Sequence, residues 1–151
     1  MENGNTFKRT TLHNLYEKQG QSPCYDNLCR LVTDLIPLIE SGVRGVTSNP
    51  ANFQKAISTS NAYNDQFRIS KMPVNSFESI YDQTDGSDGY VYVEVSPRLA
   101  DDTEGTIEVA KLLHKKVDRP NVYIKIPATA PCVPSIKEVI ASGISVNVTA
   151  S

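Results

Sequence analysis

Val122-Tyr123-Ile124-Lys125-Ile126-Pro127-Ala128-Thr129 alternates side-chain character with a period of two. That is the period of a β-strand: Val122, Ile124 and Ile126 share one face, Tyr123 and Lys125 the other. A primary amine in so apolar a run is costly to bury and asks for a reason. Desolvation favours the neutral form of an amine, and a neutral amine attacks carbonyl carbons. The competing reading is an edge-strand lysine that blocks sheet-to-sheet pairing. The run alone leaves both open.

Four further strand candidates surround it: Pro23 to Leu28, Val43 to Ser48, Tyr90 to Ser96 and Ile144 to Thr149. Helical patterns lie between most of them. Thr103 to Val117 places Ile107, Ala110, Leu113 and Val117 on one face, and Asp101 with Glu104 suggests its N-terminal cap. Pro134 to Ser142 carries an apolar stripe of Ile136, Val139 and Ile140 and is closed by Gly143. Thr33 to Ser41 reads as a short helix with Pro37 early in it, while Pro50 to Ile57 and Ala62 to Arg68 read as a helical stretch interrupted at Ser58-Thr59-Ser60. Asp82 to Gly89 is linker-like. Alternating strands and helices imply right-handed crossovers and a parallel sheet.

The faces of those strands are unequal. Val91, Val93 and Val95 oppose Tyr92, Glu94 and Ser96; Ile144, Val146 and Val148 oppose Ser145, Asn147 and Thr149. A doubly wound parallel sheet is apolar on both faces. One polar face fits a barrel whose outer face meets helices and whose lumen holds a site. An antiparallel sheet with one wet face gives the same alternation but needs no intervening helices.

Length and charge narrow the class. The 151 residues suit one domain yet are short for a complete eight-stranded α/β barrel of ~250 residues. A net charge of −2, with 15 basic and 17 acidic groups well mixed, predicts neither a nucleic-acid nor a membrane-surface partner. No apolar stretch is long enough for a membrane span, and Met1 to Thr10 lacks a signal-peptide core, so a cytoplasmic protein is expected. Cys24, Cys29 and Cys132 form no CxxC pair and are expected to be free buried thiols; with His13 and His114 they complete no metal-ligand pattern, and no metal is assigned.

Several ordered motifs carry a family resemblance. Arg44-Gly45-Val46-Thr47-Ser48-Asn49-Pro50 with Ala51-Asn52-Phe53-Gln54-Lys55-Ala56-Ile57 resembles the second-strand signature of transaldolases. Asp26-Asn27-Leu28 resembles that family's first strand, and Val93-Glu94-Val95-Ser96-Pro97 with Asp102-Thr103-Glu104 its third. Ile124-Lys125-Ile126-Pro127-Ala128-Thr129 resembles its Schiff-base strand, and Gly143-Ile144-Ser145-Val146-Asn147-Val148-Thr149 the next. The likeness runs from about Ser22 to Thr149 and is greatest to the longer bacterial-type transaldolases.

The resemblance implies an α/β fold, an incomplete TIM (β/α)8 barrel of about five βα units over residues 21–151, behind a polar, helical extension at 1–20. It implies that Lys125 forms a Schiff base with a ketose phosphate, that Asp26 exchanges the proton of the C4 hydroxyl, and that Glu94 and Thr149 hold a shuttling water. Asn49 and Asn147 are implied to bind substrate hydroxyls, with sugar phosphates as the substrates and no cofactor. Each residue keeps a plainer reading beside that one. Asp26 suits a turn or cap, Asn49 before Pro50 an N-cap, Glu94 a structural ion pair, and Asn147 and Thr149 polar strand ends.

In relatives the strand after Lys125 continues into three more strands, which carry a serine and an arginine for the substrate phosphate. Arg68 to Tyr81, around Met72, Pro73 and Val74, also looks shorter than in relatives, as though a helix were lost. Five strands cannot close an eight-stranded barrel, so open edges and a wetted inner face at Tyr92 and Tyr123 are expected. This chain alone is therefore expected to turn substrate over poorly unless a second copy or a completing chain closes the barrel. The alternatives are a non-catalytic interaction protein built on half a barrel, or a defective fragment.

Overall fold

The strands of the described residues are short, three to six residues each. The computed structural model describes residues 9–26, 32–47 and 74–150. Within them β1 (Cys24–Asp26), β2 (Gly45–Thr47), β3 (Val91–Glu94), β4 (Val122–Pro127) and β5 (Val146–Thr149) form one sheet in chain order, every pair parallel. The expected strands are all present, trimmed at their ends. Leu28 and Ser48 lie outside the described residues.

The helices are α1 (Thr11–Gln19), α2 (Val32–Glu40), α3 (residues 74–83), α4 (Thr103–Val117) and α5 (Cys132–Ala141). Strand–helix alternation in a parallel sheet makes this an α/β fold, part of a TIM-type barrel. Helix α3 was not among the expected helices. Val74, Phe77 and Ile80 are buried at helical spacing, a pattern legible in the sequence but overshadowed by the Asp/Gly-rich segment that follows. The linker-like stretch is in fact the end of α3 and the tight turn that delivers the chain to β3. Gly89 at φ +79° is required there, since a Cβ would lie 2.4 Å from the Tyr81 amide nitrogen. The stretches Pro50 to Ile57 and Ala62 to Arg68 lie outside the described residues.

Three helix details differ from expectation, each because side-chain hydrogen bonding or packing outweighs pattern. Asp102, not Asp101, caps α4, its Oδ1 accepting from the Gly105 amide at 2.9 Å. Thr106 takes the fully buried place expected of Ile107, because its hydroxyl donates to Leu99 O at 2.9 Å and so satisfies itself in the interior. On α5 the buried residues are Cys132, Ser135 and Val139, while Ile140 is 55% exposed. Cys132 is a free buried thiol as expected; Cys24 is free but exposed, because it sits on the edge strand β1. Cys29 lies outside the described residues.

The core follows from the period of two. Val46, Val91, Val93, Val122, Ile124 and Ile126 are at most 2% exposed on the helix-covered face, where each full burial contributes about 1.5–3 kcal/mol. At the N-terminal ends of the strands, Asp88 accepts from Ser22 Oγ at 2.6 Å and from the Gly89 amide at 2.9 Å, and it pairs with Arg44 Nε. The Arg44 guanidinium carbon lies 3.6 Å from the centroid of Tyr16 on α1. This polar knot ties three loops and α1 across the end of the barrel opposite the candidate site.

Candidate active site

The sheet's register decides which of the expected residues meet. Glu94 pairs with Lys125, and Lys125 with Asn147, so three neighbouring strands present one row on the non-helical face. Thr149, opposite Pro127, lies on that face toward the C-terminal strand ends. Asp26 belongs to the adjoining row, with Thr47, Tyr92 and Tyr123. Asn49 lies outside the described residues. Thus a lysine, two carboxylates, an amide and a hydroxyl share one face near the strand ends, where α/β barrels carry their sites.

The centre is a close ion pair. Lys125 Nζ lies 3.1 Å from Glu94 Oε2, and the two side chains are 14% and 13% exposed. Oε2 is buried, with the Lys125 amine as its ionic partner. Burial pushes the Glu94 carboxyl above its ordinary value; Lys125 pulls it down in part, and the Asp26 charge pushes it up again. Asp26 stands on the same face, in the row beside the pair. The carboxyl therefore keeps its proton into a higher pH range than an ordinary glutamate and can both give and take one.

Beneath the pair lies an aromatic floor that the site reading from sequence did not include. Tyr92 and Tyr123 stack at 5.4 Å and 15°, and Tyr90 meets Tyr123 edge-on at 4.6 Å. The expectation of a wetted inner face is corrected here: both stacked tyrosines are half-buried, because each covers the other. The floor was legible in the period of two that sets Tyr92 beside Glu94 and Tyr123 beside Lys125. Burial above all, with the Cys24 and Tyr123 groups, pushes the Tyr92 phenol up to about 12. Folded protein should then hold this proton while unfolded chain releases it near the ordinary ~10. The folded state binds more protons in that window, so stability falls as pH rises from about 10 to 12. The tyrosinate absorbance difference between wild type and Tyr92→Phe should appear near pH 12; appearance near 10 would contradict a covered phenol.

No three His, Cys, Asp or Glu side chains converge as metal ligands among the described residues. No described helix is long and apolar enough to cross a membrane.

The model of the transaldolase/fructose-6-phosphate aldolase family matches residues 25–151. The transaldolase of Frankia alni is 44% identical over 126 residues, covering 71% of this chain and 34% of the relative. That of Acidothermus cellulolyticus is 44% identical over 142 residues, covering 82% and 37%. Transaldolase 2 of Streptomyces avermitilis is 42% identical over 155 residues, covering 87% and 42%. The chain spans about a third to two-fifths of the length of these relatives. Its matching strands hold the amine, the carboxylates and the polar strand ends on one face of a parallel sheet, and the chain belongs to the transaldolase/fructose-6-phosphate aldolase family.

Proposed function

We propose that this chain supplies the amine-bearing part of a transaldolase site, moving a dihydroxyacetone unit from a ketose phosphate to an aldose phosphate. The observation that supports it is the half-dry Lys125–Glu94 pair with Asp26, Asn147 and Thr149 on the same face. The neutral Lys125 amine adds to the C2 carbonyl of fructose 6-phosphate or sedoheptulose 7-phosphate, giving a carbinolamine. Glu94 protonates its departing hydroxyl through a water held with Thr149, and water leaves as the iminium forms. Asp26 then takes the C4 hydroxyl proton, the C3–C4 bond breaks, and its electron pair flows into the iminium to leave an enamine. The released aldose departs, and the enamine carbon attacks the aldehyde of an acceptor such as erythrose 4-phosphate. Proton return and hydrolysis of the new iminium free Lys125.

Asn49 and Asn147 hold substrate hydroxyls in this reading, and no metal or organic cofactor takes part. Residues 21–151 act as the partial barrel and 1–20 as an extension. The setting is the cytoplasmic pentose phosphate pathway, and full turnover requires a closed barrel with a phosphate clamp, whose charge-assisted hydrogen bonds contribute ~1.5–3 kcal/mol each.

Borohydride reduction in the presence of fructose 6-phosphate should fix a sugar-derived mass on the peptide bearing Lys125. No added mass there removes the proposal. Glu94→Gln should leave the adduct on the same peptide but slow its formation by about 10²–10⁴. In wild type the rate should fall as pH rises through the elevated Glu94 titration, since the acid form is consumed. That limb should vanish in the glutamine variant, and its persistence would reassign the proton donor.

A further inference from the structure

The backbone ladder between β3 and β4 carries the Glu94–Lys125 pair, and it breaks off just past it. Val91 N donates to Asn121 O at 2.9 Å and Val95 N to Lys125 O at 3.1 Å. Ile124 N and Ala128 N donate to β5, at Ser145 O and Thr149 O. Alternate residues of a strand aim their backbone groups at the same neighbour, so the odd-numbered residues of β4 serve β3. In a parallel ladder Val95 O would then accept from the residue two beyond Lys125. That residue is Pro127, which has no N–H to give. The ladder therefore lacks its next bond immediately above the reacting pair.

Side chains join the two strand ends instead. Thr129 Oγ1, four residues past Lys125, donates to Ala100 O in the segment that leaves β3. Cys132 Sγ reaches the same oxygen at 3.3 Å, but a thiol is a weak donor. Thr103 Oγ1 donates to Pro131 O at 2.7 Å and Ser135 Oγ to Thr103 O at 3.0 Å. Those two bonds join the starts of α4 and α5, farther from the pair along the chain. Thr129 is thus the strong donor that ties the end of the lysine strand to the segment following the glutamate strand.

We propose that Thr129 is a positioning residue whose hydroxyl, by holding Ala100, replaces the ladder bond that Pro127 cannot make and fixes Glu94 against Lys125. The inference rests on reading Lys125 as the Schiff-base amine, and it adds the group that sets the acid beside it. The one hydroxyl hydrogen of Thr129 is committed to Ala100 O, so Thr129 acts through the loop and not on the sugar. What it protects is geometry, since a misplacement of about 1 Å can cost ~10²-fold in rate. The charges that act on Glu94 are Lys125 on β4 and Asp26 on β1. On the same face β2 and β5 present Thr47 and Asn147, neither of them charged.

The test is Thr129→Val, which keeps the branched shape and removes the hydroxyl, with Thr129→Ser as the variant that keeps it. Thr129→Ala makes the same deletion with less bulk, and circular dichroism checks that each variant folds. Borohydride with fructose 6-phosphate reads the rate of adduct formation on Lys125, and NMR of carboxyl-labelled glutamate follows the titration of Glu94. The valine variant should form the adduct at least tenfold more slowly. Its Glu94 should titrate higher than in wild type, because Lys125, which pulls that carboxyl down, is held less closely. Thr129→Ser should restore both. In a Glu94→Gln background the valine substitution should add no more than about twofold, since the group it positions is already gone.

A folded valine variant with the wild-type rate and titration overturns the proposal. So does a serine variant that behaves like the valine one, or a full additional loss in the Glu94→Gln background. Chemistry and positioning are separately readable. No adduct on wild-type Lys125 removes the Schiff-base reading, while the Glu94 titration still decides the role of Thr129. An adduct on wild type with the titration unmoved by valine removes the positioning role alone.

Discussion

Replacing Lys125 by methionine is expected to abolish borohydride trapping altogether, whatever ketose phosphate is offered. Methionine keeps most of the side chain's length and apolar stem, so the sheet loses a nucleophile rather than a packing volume. Loss of a covalent nucleophile costs on the order of 10⁴-fold or more, because no neighbour can form the bond in its place. Lys125→Arg should fare no better: it restores the charge beside Glu94, but a guanidinium stays protonated and cannot attack a carbonyl. An arginine variant that still trapped sugar would show that the amine reacts elsewhere. The methionine variant should also lose stability in a pH-dependent way. Without Lys125 nothing offsets the burial of Glu94, so its carboxyl rises further. The folded state then binds the proton more tightly than the unfolded chain, and stability falls as pH climbs above the ordinary glutamate range. Adding Glu94→Gln should erase that slope. A slope that survived would have to come from another group.

The second large effect lies at the other end of the sheet. Asp88→Ala should cost about 3 kcal/mol, the lower end of the range for removing one partner of a buried ion pair. The lower end applies because Arg44 keeps some solvent contact, with its side chain 19% exposed against 7% for Asp88. The substitution also strips the Ser22 hydroxyl and the Gly89 amide of their acceptor. For a domain of this size the melting midpoint should drop by roughly 6–12 °C. Lys111→Met removes an exposed pair with Glu138 and should barely move it. Equal shifts in the two variants would mean that the Arg44–Asp88 knot is as wet as a surface bridge. Trapping at Lys125 by folded protein should be unaffected in rate, since Asp88 sits at the opposite ends of the strands.

Local periodicity carried most of the fold. Five strands, the parallel alternation and the extent of α4 follow from side-chain spacing over a few residues. The candidate site residues stand out for the same reason: a lysine in an apolar run and polar residues on alternate positions are visible without any knowledge of contacts. Where local signals competed, the reading went astray. Val74, Phe77 and Ile80 mark α3, but that segment was weighed by its length against relatives, and only Asp82 to Gly89 after it was read as linker-like. Asp101 and Asp102 are equivalent cap candidates by type, and only the backbone's turn places the latter's oxygen over the Gly105 amide.

What the amino-acid sequence determined by itself was the set of elements and the face on which each reactive residue stands, because those depend on neighbours two to four positions away. The tertiary structure alone decided register and cover. Pairing β3 with β4 so that Glu94 meets Lys125, stacking Tyr92 on Tyr123, and joining Arg44 to Asp88 across 44 residues of chain are choices made by long-range packing. A shift of one residue in any strand would have sent the same side chains to the opposite face.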